Sequence, residues 1–291
     1  MENLYRQYKA LLFTLAYQLT GSVSDAEDAV QDVFLKVHGI DPDRLSNPKA
    51  YLCKMITNRC LDVLRSARKR REQYFGEWLP VPVLTSEDQA IEGVVTNELL
   101  SYAMLVLLER LTPAERAVFV LREALAFDYS DIAGLVGTSE VHCRKLLSRA
   151  KGKMGIAPEA RIQPEASSEE WVRRLLGALH QGKIDAVVSM LAEDIVLISD
   201  GGGKRSAAAH PIQSREFVAR FLFGITGKAP LYEEGAIPEI AEINGQTGLI
   251  VRSGAGIEVA ALLHAEGEFI HNIYLIRNPD KLVHLTGRYH S

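Results

Sequence analysis

The sequence predicts a multidomain chain, two all-α blocks followed by an α+β domain. Three observations carry this. Apolar residues recur at helical spacing through most of the first 155 positions, β-branched runs bounded by glycine turns fill much of the chain after position 190, and charge is divided unevenly between segments. A length of 291 residues fits two or three domains. A composition 47% hydrophobic and 24% charged is that of a globular protein and excludes a largely disordered or collagen-like chain. No apolar run approaches the ~20 residues that span a bilayer. The start, MENLYRQYK, lacks an apolar signal core, so no membrane association and a cytoplasmic location are expected. Three cysteines without CxxC spacing offer no disulfide framework and no zinc site; no metal and no cofactor is expected.

In chain order, Leu4, Leu11, Leu12, Leu15 and Leu19 mark a first helix that Gly21 closes. Ser24 and Glu27 read as the capping box of a second helix. Its buried stripe is Ala26, Val30, Val33, Phe34 and Val37, and its outward side is Asp28, Gln31, Asp32 and Leu35. A proline-bearing loop leads to a long amphipathic helix, with Leu52, Met55, Ile56, Cys60, Val63 and Leu64 inside. Lys54, Asn58, Arg65, Arg68 and Lys69 are displayed outside. Arg59 and Arg65 at i−3 and i+3 are expected to pair with Asp62. Cys53, Cys60 and Cys143 read as core filler. Thr112-Pro113-Ala114-Glu115 and Ser167-Ser168-Glu169-Glu170 are further helix starts. Strands are expected at 195–199, 237–243, 249–252, 257–264 and 269–277, as an antiparallel meander with turns at Asn244-Gly245, Gly254–Gly256 and Gly267. The domains are therefore 1–75, an acidic linker 76–97, 98–155, a second linker 156–167, and 168–291.

The charge pattern is more telling than the net value of −4. Residues 46–71 hold eight Lys/Arg and one acid, and residues 138–153 hold five and one; between them, 76–97 holds no base and four acids. Two basic patches around an acidic connector fit two contacts with a polyanion, or two solvated helix faces. The second patch lies in a helix-turn-helix pattern over Tyr129–Arg149, with Ala133 at the crossing, Gly137 at the turn, and Ile132, Val136, Cys143 and Leu146 as packing. The second helix then presents Ser139, Glu140, Val141, Arg144, Lys145, Ser148 and Arg149 to a major groove.

These segments resemble a known family. Residues 25–34 (DAEDAVQDVF) are similar to the core-polymerase-binding helix of region 2 in group IV (extracytoplasmic-function, ECF) sigma factors of RNA polymerase. Residues 58–65 (NRCLDVLR) resemble the helix of that region that reads the −10 element. Residues 111–122 with the helix-turn-helix resemble region 4, which reads the −35 element. Trp78-Leu79-Pro80, Asp200-Gly201-Gly202-Gly203-Lys204 and Asn278-Pro279-Asp280-Lys281-Leu282 resemble the signature of the ECF41 (SigJ-like) subgroup, whose members carry a SnoaL-like (NTF2-like) cone-shaped C-terminal domain. Val81 stands where that linker string usually has an acid.

The resemblance implies an alternative sigma factor, not an enzyme. Its partners would be promoter DNA and core RNA polymerase, through the β′ clamp helices (Asp28, Gln31, Asp32, Leu35) and the β flap. The loop at 40–50 would hold an extruded promoter base. The three signature strings imply docking of a C-terminal domain that acts as a built-in regulator; whether that domain takes a small-molecule ligand is left open. Two other classes stay open on the residues alone. One is a one-component helix-turn-helix repressor with a ligand-binding C-terminal domain. The other is an NTF2-like enzyme with a DNA-binding appendage, in which the three glycines form an anion nest and Asp200 is a general acid or base.

Overall fold

The computed structural model describes residues 2–38, 40, 47–71, 73–85, 100–157, 169–228, 237–254 and 256–285, except the side chains of 67–71 and 227–228. It divides into two compact units: Met1–Glu72 with Ala90–Pro164, and Gln73–Gln89 with Glu165–Ser291. Among the described residues no helix is long and apolar enough to cross a membrane.

The first unit is helical. Helices α1 (Glu2–Thr20), α2 (Val23–Val37) and α3 (Pro48–Arg71) pack pairwise. Leu12, Leu15 and Leu19 of α1 are fully buried, as are Ala26 and Val37 of α2 and Leu52, Ile56 and Cys60 of α3. Most of the periodic positions thus form the core, while Leu4, Leu11, Phe34, Met55 and Val63 are only partly buried. Gly21, at φ +66°, ends α1 by donating its N–H to the Tyr17 carbonyl. The following cap is Ser22, whose hydroxyl accepts from the Asp25 N–H, and not Ser24, which lies inside α2. The left-handed glycine brings the chain round two residues earlier than the Ser24–Glu27 spacing indicated.

The second half of this unit comprises α4 (Tyr102–Leu108), α5 (Pro113–Phe119), α6 (Tyr129–Val136) and α7 (Glu140–Met154). The Thr112–Glu115 capping box forms with Pro113 in the first turn. A one-turn π-helix, Val120–Ala124, continues α5 and ends near Ala126, at φ +53°. Both α5 and α6 pack against α3. Arg116 of α5 is buried, donating to the Leu108 and Leu19 carbonyls and pairing with Glu109 at 2.6 Å. Burial pulls its guanidinium down to about 9.

The second unit is α+β. Helices α8 (Glu169–His180), α9 (Ile184–Met190) and α10 (Arg215–Lys228) pack with a six-stranded sheet of order β2-β1-β6-β5-β4-β3. The strands are β1 (Leu191–Asp200), β2 (Ile212–Gln213), β3 (Ile237–Ile243), β4 (Gln246–Ser253), β5 (Gly256–Glu266) and β6 (Phe269–Ile276). Strands β3 to β6 form the expected antiparallel meander. However, β1 runs parallel to β6, the chain between them making the crossover. Helix α10 was not foreseen, nor was the short β2. The start at Ser167–Ser168 lies outside the described residues. Helix α11 (Pro279–Leu282) follows the sheet, capped by the Asn278 side chain.

Residues 73–85, most of them expected within a connector, belong to this second unit. Leu84 forms an antiparallel bridge with Ile243 at the edge of β3. The Thr85 N–H donates to the Glu242 carbonyl, and the Val83 carbonyl accepts from Asn244. We refer to this segment as the strap.

Candidate nucleic-acid interface and interdomain cluster

In α2, Asp28, Gln31 and Leu35 are exposed, Leu35 by 65%. Phe34 is held beneath them by an edge-on contact with Tyr5, 4.8 Å between centroids. Asp32 is partly covered because Arg59 of α3 donates Nε to its Oδ2 at 2.7 Å. Arg59 therefore serves α2, and Asp62 pairs with Arg65 alone of the two expected arginines, at 2.7 Å. The reason is reach: packing of α2 on α3 sets a carboxylate beside Arg59.

Lys54, Asn58 and Arg65 are exposed on α3, above the buried Cys53, Ile56 and Cys60. Burial pushes the Cys60 thiol well above its ordinary range, which makes it inert core filler. Arg68 and Lys69 lie in α3, but their side chains are outside the described residues, as are residues 41–46 of the loop expected to hold a promoter base. Asn47 closes that loop, its Oδ1 accepting from the Ala50 N–H.

The helix-turn-helix forms on α6 and α7. Gly137 takes the left-handed conformation between them, φ +75°, ψ +41°. Ile132, Leu135, Cys143 and Leu146 are buried; Val136 and Ala133 are partly so. The Ser139 hydroxyl caps α7 by accepting from the His142 N–H. Every predicted contact residue is exposed: Ser139, Glu140, Val141, Arg144, Lys145, Ser148 and Arg149. Sequence reasoning missed a stack here, for Arg122 and Arg144 both lie over the Tyr129 ring, at 5.0 and 4.5 Å.

In the second unit the three signature strings converge. Asp200 at the end of β1 is 1% exposed, and Lys281 in α11 is 5% exposed; they pair at 2.6 Å. Asp200 also accepts from the Tyr74 hydroxyl (2.7 Å), the Leu79 N–H (2.9 Å) and the Gly202 N–H (3.0 Å). Lys281 donates to the Leu79 carbonyl as well, and its ammonium sits 4.0 Å from the Trp78 ring centroid and 5.2 Å from that of Tyr74. Asn278 donates Nδ2 to the Tyr74 oxygen. Burial, followed by the Asp200 carboxylate, raises the Tyr74 hydroxyl above its ordinary range, so it stays a donor.

The glycines answer to close approach rather than to an anion. A Cβ on Gly201 would fall 2.1 Å from the Arg205 carbonyl oxygen, and one on Gly202 (φ +59°) would fall 2.3 Å from Asn278 Nδ2. Lys204 bridges to Asp280, in the open, at 2.6 Å. Pro279 starts α11, Leu282 is buried, and Pro80 and Val81 of the strap are buried too. Tyr74 was the missed member of this cluster. Among the described residues no group of three or more His, Cys, Asp or Glu could hold a metal ion.

Two sequence families match the helical unit: Sigma-70 region 2 over residues 4–70, and Sigma-70 region 4 over residues 101–154. Together with the exposed helix-turn-helix they define a sigma-70-type DNA-reading protein. The chain is 35% identical over 284 residues to the ECF RNA polymerase sigma factor SigJ of Mycobacterium tuberculosis, covering 93% of this chain and 89% of that protein. It is 27% identical over 217 residues to the ECF sigma factor SigG of the same species, covering 65% of this chain and 58% of that one. The crystal structure of M. tuberculosis SigJ superposes with a TM-score of 0.80 at 30% identity, over 98% of this chain and 99% of that one. The chain belongs to the ECF sigma factors, alternative sigma factors that work with RNA polymerase and promoter DNA in transcription initiation. Its α+β unit is a SnoaL-like C-terminal domain.

Proposed function

We propose that α2 binds the β′ clamp helices of core polymerase through Asp28, Gln31, Asp32 and Leu35, and that the protein also contacts the β flap. In this reading α3 reads and melts the −10 element through Lys54, Asn58, Arg65, Arg68 and Lys69. The exposed face of α7 reads the −35 element through Ser139, Glu140, Val141, Arg144, Lys145, Ser148 and Arg149. The SnoaL-like domain regulates by holding the strap, which is the chain between the two promoter readers.

The observation that carries the regulatory reading is the buried Asp200–Lys281 pair closed around the Leu79 backbone. Because the strap is tethered to the domain that binds it, docking runs at an effective concentration around millimolar, and a weak interface suffices. The same cluster argues against Asp200 as an acid–base catalyst. Its lone pairs are taken by Tyr74, Leu79, Gly202 and Lys281, leaving none for a substrate.

The test is transcription in vitro with purified core polymerase. Deleting the chain from Asn278 onward would remove Lys281 and strand the Asp200 carboxylate, so Trp78→Ala, which loosens the strap and keeps the pair, is the cleaner variant. The expected result is promoter-dependent initiation by both proteins, with altered output from the variant and unchanged core affinity. Equal output would remove the regulatory role, and no initiation from either would remove the whole assignment.

A further inference from the structure

Resting on the reading of α7 as the −35 helix, we propose that Tyr129 is the positioning residue for base recognition: its ring holds Arg144 as a preset guanine-reading fork. The geometry comes from three elements. Arg144, in the second turn of α7, places its guanidinium carbon 4.5 Å from the Tyr129 centroid and donates Nη2 to Glu140 Oε2 at 3.2 Å. Tyr129 opens α6 and is half-buried. Arg122, from the π turn after α5, lies over the same ring at 5.0 Å, and its Nη1 donates to the Phe127 carbonyl at 2.7 Å and reaches Asp128 at 3.4 Å. One arginine thus steadies the ring, and the ring in turn orients the other.

Stacking and base reading use different parts of a guanidinium. The ring engages its face, whereas all five N–H donors lie in its plane. An arginine held over the ring therefore keeps the donors that Glu140 does not take, Nε and Nη1 with the rest of Nη2, for the O6 and N7 acceptors of guanine, the commonest specific contact in the major groove. The stack also removes rotamer freedom that a loose arginine would lose on binding. Lysine cannot take this role, because an ammonium has no plane to preset. Two observations favour a device over incidental packing. Tyr129 carries two cations, and the element supplying the second is a π turn followed by a left-handed Ala126, an arrangement with a conformational cost.

The experiment uses the full-length protein with core polymerase and a library of randomised duplexes, from which each variant selects its own base preferences. Arg144→Ala should erase the preference at one guanine. Tyr129→Leu should weaken that same preference about 3-fold and leave the others intact, while Tyr129→Phe keeps it. In the Arg144→Lys background, Tyr129→Leu should have no further effect on the profile. Fluorinated phenylalanines at position 129, which drain the ring's negative face while preserving its shape, should weaken the preference in steps. They keep the test decisive even where Tyr129→Leu lowers the thermal midpoint. A flat response across the fluorinated series overturns the proposal, as does a loss spread evenly over all positions. If Arg144→Ala changes no preference while Lys145→Ala and Arg149→Ala lose affinity, α7 remains the reader and the positioning role falls. If none of the three matters, the −35 assignment falls first.

Discussion

At the scale of single residues, Asp200 and Lys281 set the terms. Both charges are almost fully out of water, a state that is unfavourable unless each is paired and hydrogen-bonded. Each is: the carboxylate has four donors, and the ammonium has two acceptors and two aromatic faces. Removing one partner leaves the other stranded, so Lys281→Met should cost about 3–5 kcal/mol, measured by urea unfolding of the full chain. Asp200→Leu combined with Lys281→Met should recover part of that loss; a double variant as unstable as the sum of the singles would show that the ions are not coupled. Glu115 provides a pH test. Burial opposes its ionisation, but Lys153 at 2.6 Å and the Thr112 N–H and hydroxyl outweigh that, holding the carboxyl below its ordinary value. A depressed folded-state value contributes stability that is complete above the unfolded value of about 4 and is lost as pH falls through the folded one. The unfolding midpoint of the native protein should thus exceed that of Glu115→Gln at neutral pH, with the gap closing below about pH 4. A gap constant with pH would refute this.

At the scale of elements, the helices proposed to face the promoter should separate by their salt response. Arg144→Ala and Lys145→Ala should each weaken binding to a −35 duplex by about 1–3 kcal/mol. The phosphate contact of the two should also reduce the slope of log affinity against log salt by about one, whereas a pure base contact leaves that slope alone. Unchanged affinity in both variants would remove α7 from the interface. The helix-turn-helix was legible in the sequence because its determinants are local: Gly137, Ser139 and the spacing of Ile132 and Cys143 act within a turn or two. The Thr112–Glu115 box was legible for the same reason. What escaped was long-range. Parallel pairing of β1 with β6 depends on a crossover that no periodicity encodes. Arg59 finds Asp32 from 27 positions away, and Tyr74 finds Asp200 from 126. Helix α10 was hidden by its own composition, since Phe217, Val218, Phe221, Leu222 and Phe223 fit a strand as readily as a helix. The cap of α2 was misread because two serines stood two residues apart, and only the backbone turn at Gly21 chooses between them.

At the scale of the molecule, the helical unit poses a geometric problem that function must solve. Its α3 and α6 are in contact, and Arg116 of α5 reaches across to the last turn of α1 through the Leu19 carbonyl. The two helices proposed as promoter readers, α3 and α7, are therefore packed into one body, α7 through α5 and α6. Elements centred near −10 and −35 lie about 25 base pairs apart, which is about 85 Å along B-form DNA at 3.4 Å per pair. Helix α3 itself extends only about 36 Å. With α3 packed on α6 and α6 on α7, engaging both elements at once is expected to need the readers to part before initiation, breaking the Arg116–Leu19 hydrogen bond and the contact of α3 with α6. Energy transfer between dyes checks this directly. Ser66 on α3 and Ser130 on α6 are exposed, while Cys53, Cys60 and Cys143 are fully buried, so cysteines introduced at 66 and 130 can be labelled selectively. Transfer should be high in the free protein and fall when core polymerase and promoter are added together. Arg116→Met should lower it in the free protein, because the Leu19 carbonyl loses the charged donor that ties the halves together. High transfer retained in a transcribing complex would mean that the closed body is itself the active form, and the promoter assignments of α3 and α7 would have to be drawn again.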